Sequence, residues 1–185
     1  VGYQPVGEIS GDWQSDAALL ETLKAGLLCN DSQLVESEGR WNVQGDPTEG
    51  ALLVSARKAL PSPEANGFPN RIDSVPFDSQ HQYMATLHDD GTIYVKGAAE
   101  VLLERCDGVM LPSGEITGCN QDQFWKSLDA MASKGLRVLA FARLQKPSTQ
   151  KIYLEDINNL TLLGLQGMMD PPRPEVQDAI RAAQQ

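Results

Sequence analysis

Cations are scarce in this chain: 15 lysines and arginines stand against 25 aspartates and glutamates, a formal net charge of −10 over 185 residues. That balance argues against a nucleic-acid or anionic-membrane surface, because each draws its affinity from a basic face. Cysteine is scarce as well. Cys29, Cys106 and Cys119 show neither paired nor metal-ligand spacing, and an odd number does not build a disulfide framework, so a reducing compartment is expected. No segment approaches the roughly 18 consecutive apolar residues of a membrane span. The start, "VGYQPVGEISGDW", lacks the charged beginning and apolar centre of a secretory signal. His81 and His88 stand in no metal-ligand arrangement, so no metal site is expected. Walker, nucleophile-elbow and zinc-protease motifs are absent too.

What is present is enough apolar material for one core, 41% of residues, and an alternation of helical and strand patterns that fits a single domain. The first ten residues read as an edge strand. Ser15 is the expected cap of a helix through "DAALLETLKAGLLCN", where Leu19, Leu20, Leu23 and Leu27 keep helical spacing and Asn30 suits a left-handed stop. "WNVQ" is a short strand. "GDPTEGALLVSARKAL" is a second helix, with Asp46 at the cap, Pro47 at the first helical position and Glu49 in the first turn. The clearest β signal follows in "RIDSVPF", "YMATLH" and "TIYVK", with Asp90-Gly91 as a hairpin turn between the last two. A helix over 98–105, a turn-rich loop "DGVMLPSGEITGCN" and a helix "QDQFWKSLDAMASKG" come next. The strands "LRVLAFARL" and "LTLLGLQGMM" follow. The last stretch, "DPPRPEVQDAIRAAQQ", is a proline-stiffened entry into an alanine-rich helix with a weak apolar face, read as the first piece of a neighbouring domain.

Three stretches carry candidate chemistry. Lys96 in "YVKGAAE" ends a strand just before Gly97 and Ala98. On a sheet edge such a lysine is an ordinary solvated charge. At a strand-to-helix junction free of bulky side chains it also suits an anion, most naturally a phosphate. Phe77 and Met84 flank a polar turn; core packing is the favoured reading of each alone, although together they also form a stacking wall for a flat heterocycle. In "GDPTEG", Asp46 and Glu49 have capping-box spacing, and a carboxylate there can equally accept from an exocyclic amine; spacing does not decide between the two. Arg137 starts a strand, where it can pair with surface acid or, through its planar fork, with a phosphate chain.

Taken in order, "CNDS", "GDPTEGAL", "VPFDS", "YVKGAAEVLLERC", "MASKGLRVLAFA" and "GLQGMMDPPRPEV" closely resemble the nucleotide-binding domain of cation-transporting P-type ATPases, of the calcium, sodium/potassium and proton pump branch, over essentially the whole chain. The resemblance implies an α+β fold, a twisted antiparallel sheet flanked by helices, with residues 1–168 as the nucleotide-binding domain. Residues 169–185 become the hinge and first helix of the returning phosphorylation domain. It implies an ATP pocket in which Phe77 stacks on adenine and Glu49 faces the adenine amine with Asp46 nearby. Met84 and Leu139 add apolar contact, Lys96 lines the pocket where Gly97 and Ala98 permit close approach, and Arg137 meets the phosphates. Ser79 and Gln82, from the segment after the phenylalanine, complete the set. Many animal pumps have lysine where Gln82 stands, and loss of such a cation costs about 1 kcal/mol of binding.

The same resemblance implies Mg²⁺ accompanying ATP and ligated mainly outside this chain, partnership with phosphorylation and actuator domains of a longer chain, and no contact with nucleic acid or membrane. It implies a monomeric cytoplasmic piece of a multi-pass membrane protein. The phosphorylated "DKTGT" and magnesium-binding "GDGxND" sequences do not occur here, and Asp170 in "DPPR" is no substitute nucleophile. This chain should therefore bind ATP without turnover, while the parent transfers the γ-phosphoryl to aspartate and moves cations. The transported ion is not readable, since its selectivity would lie in membrane helices. A regulatory or interaction module of the same fold that has lost nucleotide binding is the alternative, with Gln82 as its support. A self-sufficient kinase or phosphatase lacks the necessary motifs.

Overall fold

A computed structural model describes residues 2–61 and 67–169. The expected edge strand at the start is not formed: residues 2–10 carry no strand, and Ile9 instead packs against Leu23, Leu27 and Leu53. A 3₁₀ turn, Trp13–Ser15, then delays the first helix by one residue. Helix α1 (Ala17–Leu28) is capped by Asp16, whose carboxylate accepts from Leu19 N at 2.9 Å, rather than by Ser15, whose hydroxyl donates to Asp12 O. Asn30 does not take the left-handed conformation expected of it. Its side-chain amide donates to Gly26 O and Glu49 O, both at 3.0 Å, which ties the end of α1 to the first turn of the second helix.

Strands β1 (Gln33–Ser37) and β2 (Arg40–Gln44) form a separate antiparallel hairpin, of which the sequence pattern indicated only the second. Its turn places both Glu38 and Gly39 at positive φ, the geometry that matches the twist of the flanking strands. Helix α2 (Pro47–Ala56) packs beside α1.

Among the described residues the main sheet has seven strands: β3 (Arg71–Val75), β4 (Tyr83–His88), β5 (Thr92–Gly97), β6 (Cys106–Met110), β7 (Ile116–Gly118), β8 (Arg137–Gln145) and β9 (Leu160–Met168). Their spatial order is β3-β4-β5-β8-β9-β6-β7. The α+β architecture stands as expected, with one parallel ladder, β6 on β9, among otherwise antiparallel pairs. Strands β6 and β7 occupy what the sequence pattern assigned to loop. The expected Asp90-Gly91 turn joins β4 to β5, with Gly91 at φ 78°.

Strand alternation sends the two faces of this sheet to two helix layers. Tyr83, Ala85, Leu87, Ile93 and Val95 pack with Leu102 and Leu103 of α3 (Ala99–Leu103) and Leu128 of α4 (Gln121–Ala132). Met84, Tyr94 and Phe141 point the other way, against Ala25 of α1 and Leu52 of α2. Every residue of β4 and β5 is buried. The C-terminal helix read from "DPPRPEVQDAIRAAQQ" lies outside the described residues. Among those described, no helix is long and apolar enough to cross a membrane.

Candidate functional site

Strand β5 lies inside the sheet, between β4 and β8, so Lys96 is not the solvated edge charge that a lone strand-end lysine suggests. It pairs with Met84 on one side and Phe141 on the other, and shares their α1/α2 face. Only 6% of Lys96 is exposed. A buried ammonium needs a partner, and Lys96 Nζ donates to Glu49 Oε1 at 2.6 Å.

Glu49 is held from both of its oxygens. Oε2 accepts from Ser32 Oγ at 2.9 Å and from Asp31 N at 3.0 Å. A carboxylate offers about four acceptor positions. Three of them are filled by Lys96, Ser32 and Asp31, so one is left for a donor arriving from solvent. Asp46, the α2 cap, accepts from Thr48 N and Glu49 N, while its own amide donates to Ser32 Oγ at 2.8 Å. The capping function and the open acceptor position are thus divided between two residues whose spacing alone left them equivalent.

Around this pair lies a cleft of about 360 Å³, lined by Asp46, Glu49, Phe77, Met84, Lys96, Gly97, Arg137 and Leu139 of the expected residues. Its size is that of a small-molecule site. Phe77 is 63% exposed, so its ring stands at the cleft rather than in the core. Met84 is the opposite case, fully buried and packed, and contributes floor. Arg137 Nη1 donates to Thr48 Oγ1 at 3.2 Å from the exposed start of β8, which places its guanidinium at the rim of the cleft. Beneath Met84, Cys29 Sγ donates to the Met84 carbonyl, and burial pushes its thiol up to about 11, so it remains an uncharged part of the floor.

Three expected residues do not line the cleft. Ser79 and Gln82 are exposed on the turn after Phe77, which is closed by Gln82 N donating to Asp78 O, with Gln82 at φ 59°. The Ala98 amide donates to Gln82 O at 3.0 Å and so serves the sheet. Gly97 does reach the cleft, yet the reason for glycine there is packing: a Cβ would sit 2.6 Å from Tyr83 Cβ. The sequence reading missed Asp31, Ser32, Gly45 and Thr48, which complete the lining. "CNDS" contained two of them, but no local spacing connects that motif with Glu49.

The chain is thus an α+β domain with a cleft of small-molecule size, a buried lysine–carboxylate pair at its floor and an exposed aromatic ring beside it. The family described as "P-type ATPase, cytoplasmic domain N" matches residues 18–175, and the chain belongs to that family. It is 48% identical to the cation-transporting ATPase pma1 of Synechocystis sp., over 98% of this chain and 22% of that protein. It is 41% identical to the probable cation-transporting ATPase F of Mycobacterium tuberculosis, over 91% of this chain and 19% of that protein. With the calcium-transporting ATPase 1 of Lactococcus lactis it shares 38% identity, over 95% of this chain and 20% of the relative. The chain therefore spans about a fifth of the length of these relatives.

Proposed function

We propose that this cleft binds ATP and that the domain positions it for phosphoryl transfer to an aspartate carried elsewhere in a longer cation-transporting pump. The observation that carries the proposal is the distribution of unused valence around the Lys96–Glu49 pair. Phe77 offers an exposed ring to a flat base. Glu49, which as a carboxylate only accepts, keeps one acceptor position for an exocyclic amine. Lys96 lines the pocket where it holds Glu49, and Arg137 at the rim supplies positive charge to the phosphate end. Met84 and Leu139 give the apolar wall between.

Within this reading the chain binds, orients and desolvates, and supplies no nucleophile. Mg²⁺ would travel with the triphosphate and neutralise charge on its oxygens. Among the described residues no group of three or more His, Cys, Asp or Glu side chains could hold a metal, so no step is assigned to an ion held by this chain. Restricting a flexible nucleotide to one orientation is the domain's contribution to the reaction. Affinity is expected to be weak, because the phosphorylation domain and Mg²⁺ would add their contacts to the triphosphate only in the intact pump. The domain would work on the cytoplasmic side of a multi-pass membrane protein, in contact with its phosphorylation and actuator domains.

Calorimetric titration of ATP into the wild-type chain and into folded Phe77→Ala and Lys96→Ala variants tests the reading. Saturable wild-type binding, weakened by both substitutions and accompanied by no phosphate release, is expected. A folded wild-type chain that shows no saturable binding at millimolar ATP would sink it. The non-binding alternative rested on Gln82, which lies outside the cleft and leaves the Glu49–Lys96 pair intact.

A further inference from the structure

The start of α2 departs from a reciprocal capping box in a single bond. In that arrangement the carboxylate at the third helical position reaches back to the amide of the capping residue. Here the Asp46 carboxylate does its half, accepting from Thr48 N and Glu49 N. The other half is missing: the Asp46 amide donates to Ser32 Oγ, and Glu49 turns away to Lys96. Ser32 has one hydroxyl proton and already accepts from Asp46 N. That proton goes to Glu49 Oε2 at 2.9 Å in preference to Asp46 O at 3.3 Å.

We propose that Ser32 is the positioning residue of the cleft. By occupying the Asp46 amide it removes the partner that Glu49 would otherwise take, and it directs the carboxylate onto Lys96 with one acceptor position facing the ligand. The proposal rests on the ATP reading and deepens it: Ser32, through Glu49, sets the preference for a base bearing an exocyclic amine over one bearing a carbonyl at the same place.

The surroundings of Ser32 suit this role. It is buried, and its own amide donates to Asn30 Oδ1 at 2.9 Å, which fixes the loop that presents the hydroxyl. Gly45, at φ 122°, passes so close that a Cβ there would collide with Ser32 Oγ. The preceding residue reinforces the same carboxylate oxygen through Asp31 N, and Asn30 holds the Glu49 carbonyl. The "CNDS" loop thus grips Glu49 at backbone and side chain, across 17 to 19 residues of sequence.

Removing the hydroxyl leaves the Asp46 amide without its acceptor, and the replacement that capping-box spacing offers is Glu49 itself. Ser32→Ala should therefore fold, closing an ordinary capping box, while the carboxylate leaves Lys96 and the base. The test has two arms. Crystal structures of nucleotide-free wild type and Ser32→Ala should show Glu49 on Lys96 in the first and on Asp46 N in the second. Calorimetric titrations with ATP and inosine triphosphate, which has a carbonyl in place of the amine, should show a wild-type preference for ATP of roughly tenfold or more. That preference should collapse to within about twofold in Ser32→Ala and persist in Ser32→Thr. A hydroxyl that only stabilised the loop would lower thermal stability and leave the ratio untouched.

A folded Ser32→Ala whose Glu49 stays on Lys96, or which keeps the wild-type ratio, overturns the proposal. If that variant does not fold, Ser32→Cys, a weaker donor, carries the comparison, and an unchanged ratio there overturns the proposal equally. Absence of wild-type ATP binding would overturn the ATP reading, and the nucleotide-free structures would still decide whether Ser32 holds Glu49.

Discussion

The hollow between α1 and β9 holds about 380 Å³ and the Lys96 cleft about 360 Å³, so volume does not distinguish them. Their polar groups do. In the first, Asp16 caps its own helix at Leu19 N and Thr22 Oγ1 donates one turn back to Ala18 O, while Gln166 Nε2, from far along the chain, makes a long bond of 3.5 Å to Thr22 O between uncharged groups. Leu19, Leu23, Leu163 and Leu165 make up much of the remaining wall. In the second, the bonds join residues far apart in the chain: Lys96 to Glu49, Ser32 to Asp46, Arg137 to Thr48. The local bonds of the first hollow complete secondary structure and its long-range bond joins two uncharged groups, which leaves little charge for a ligand. The long-range bonds of the second hollow assemble charge from four segments in one place and leave an acceptor position, an ammonium and a guanidinium directed at the same space.

The largest expected effect breaks the charge pair. Lys96→Met leaves a nearly buried carboxylate without its cation, and loss of one member of such a pair costs about 3 kcal/mol. Urea denaturation should show that loss, and adding Glu49→Gln should recover most of it, because the uncompensated charge is then gone. If the single substitution leaves the midpoint unchanged, the pair contributes nothing to the fold, and the distinction between the two hollows loses its electrostatic basis. No residue of the α1/β9 hollow should show a comparable rescue.

Phe77 sharpens the contrast from the other direction. Its ring is mostly exposed, so Phe77→Ala should leave thermal stability nearly unchanged, while loss of base stacking weakens ATP binding by about 1–3 kcal/mol. Leu19→Ala, in the other hollow, should do the reverse: about 1 kcal/mol of stability lost from a partly buried leucine, with ATP affinity unaltered. Parallel calorimetry and thermal melts on the two variants check both directions at once.

How much of this was legible beforehand follows the range of the interactions. The helices around Leu23 and Leu53 and the strands β3, β4, β5, β8 and β9 announce themselves through periodicity, which is a local property. Strands β6 and β7 did not, because "CDGVM" and "ITG" are short and punctuated by glycine, and pairing with the remote β9 and with each other is what makes them strands. The initial edge strand was over-read from a few apolar residues that find side-chain packing but no ladder. At the site, residue types and motif order pointed to Glu49, Phe77, Lys96 and Arg137. What could not be read was the bond between Glu49 and Lys96, 47 residues apart, or the substitution of Ser32 into a capping box. Such bonds exist only once the sheet has set α2 over the end of β5.

A smaller effect is expected at Arg137. Its guanidinium is exposed at the rim and bonded to a neutral hydroxyl, so Arg137→Ala should cost little stability. Removing a charge-assisted contact to phosphate should weaken ATP binding by about 1 kcal/mol. Adenosine binding should be unchanged, since that ligand has no phosphate to lose. Titrating ATP and adenosine against both proteins separates the two ends of the ligand.

The smallest expected effect adds charge beside the cleft without altering its wall. Gln82 lies on an exposed turn with its backbone in the left-handed region, and lysine suits that conformation no better or worse than glutamine, so Gln82→Lys should leave the melting temperature in place. A mobile exposed ammonium near a triphosphate should raise ATP affinity by only about 0.2–1 kcal/mol at low ionic strength. Salt should erase the gain, because at about 1 M the screening length falls to roughly 3 Å. Titrations at low and high salt measure it directly. A larger gain that survives high salt would mean that the position-82 side chain enters the cleft when nucleotide binds, and the boundary drawn here between lining and rim would have to move.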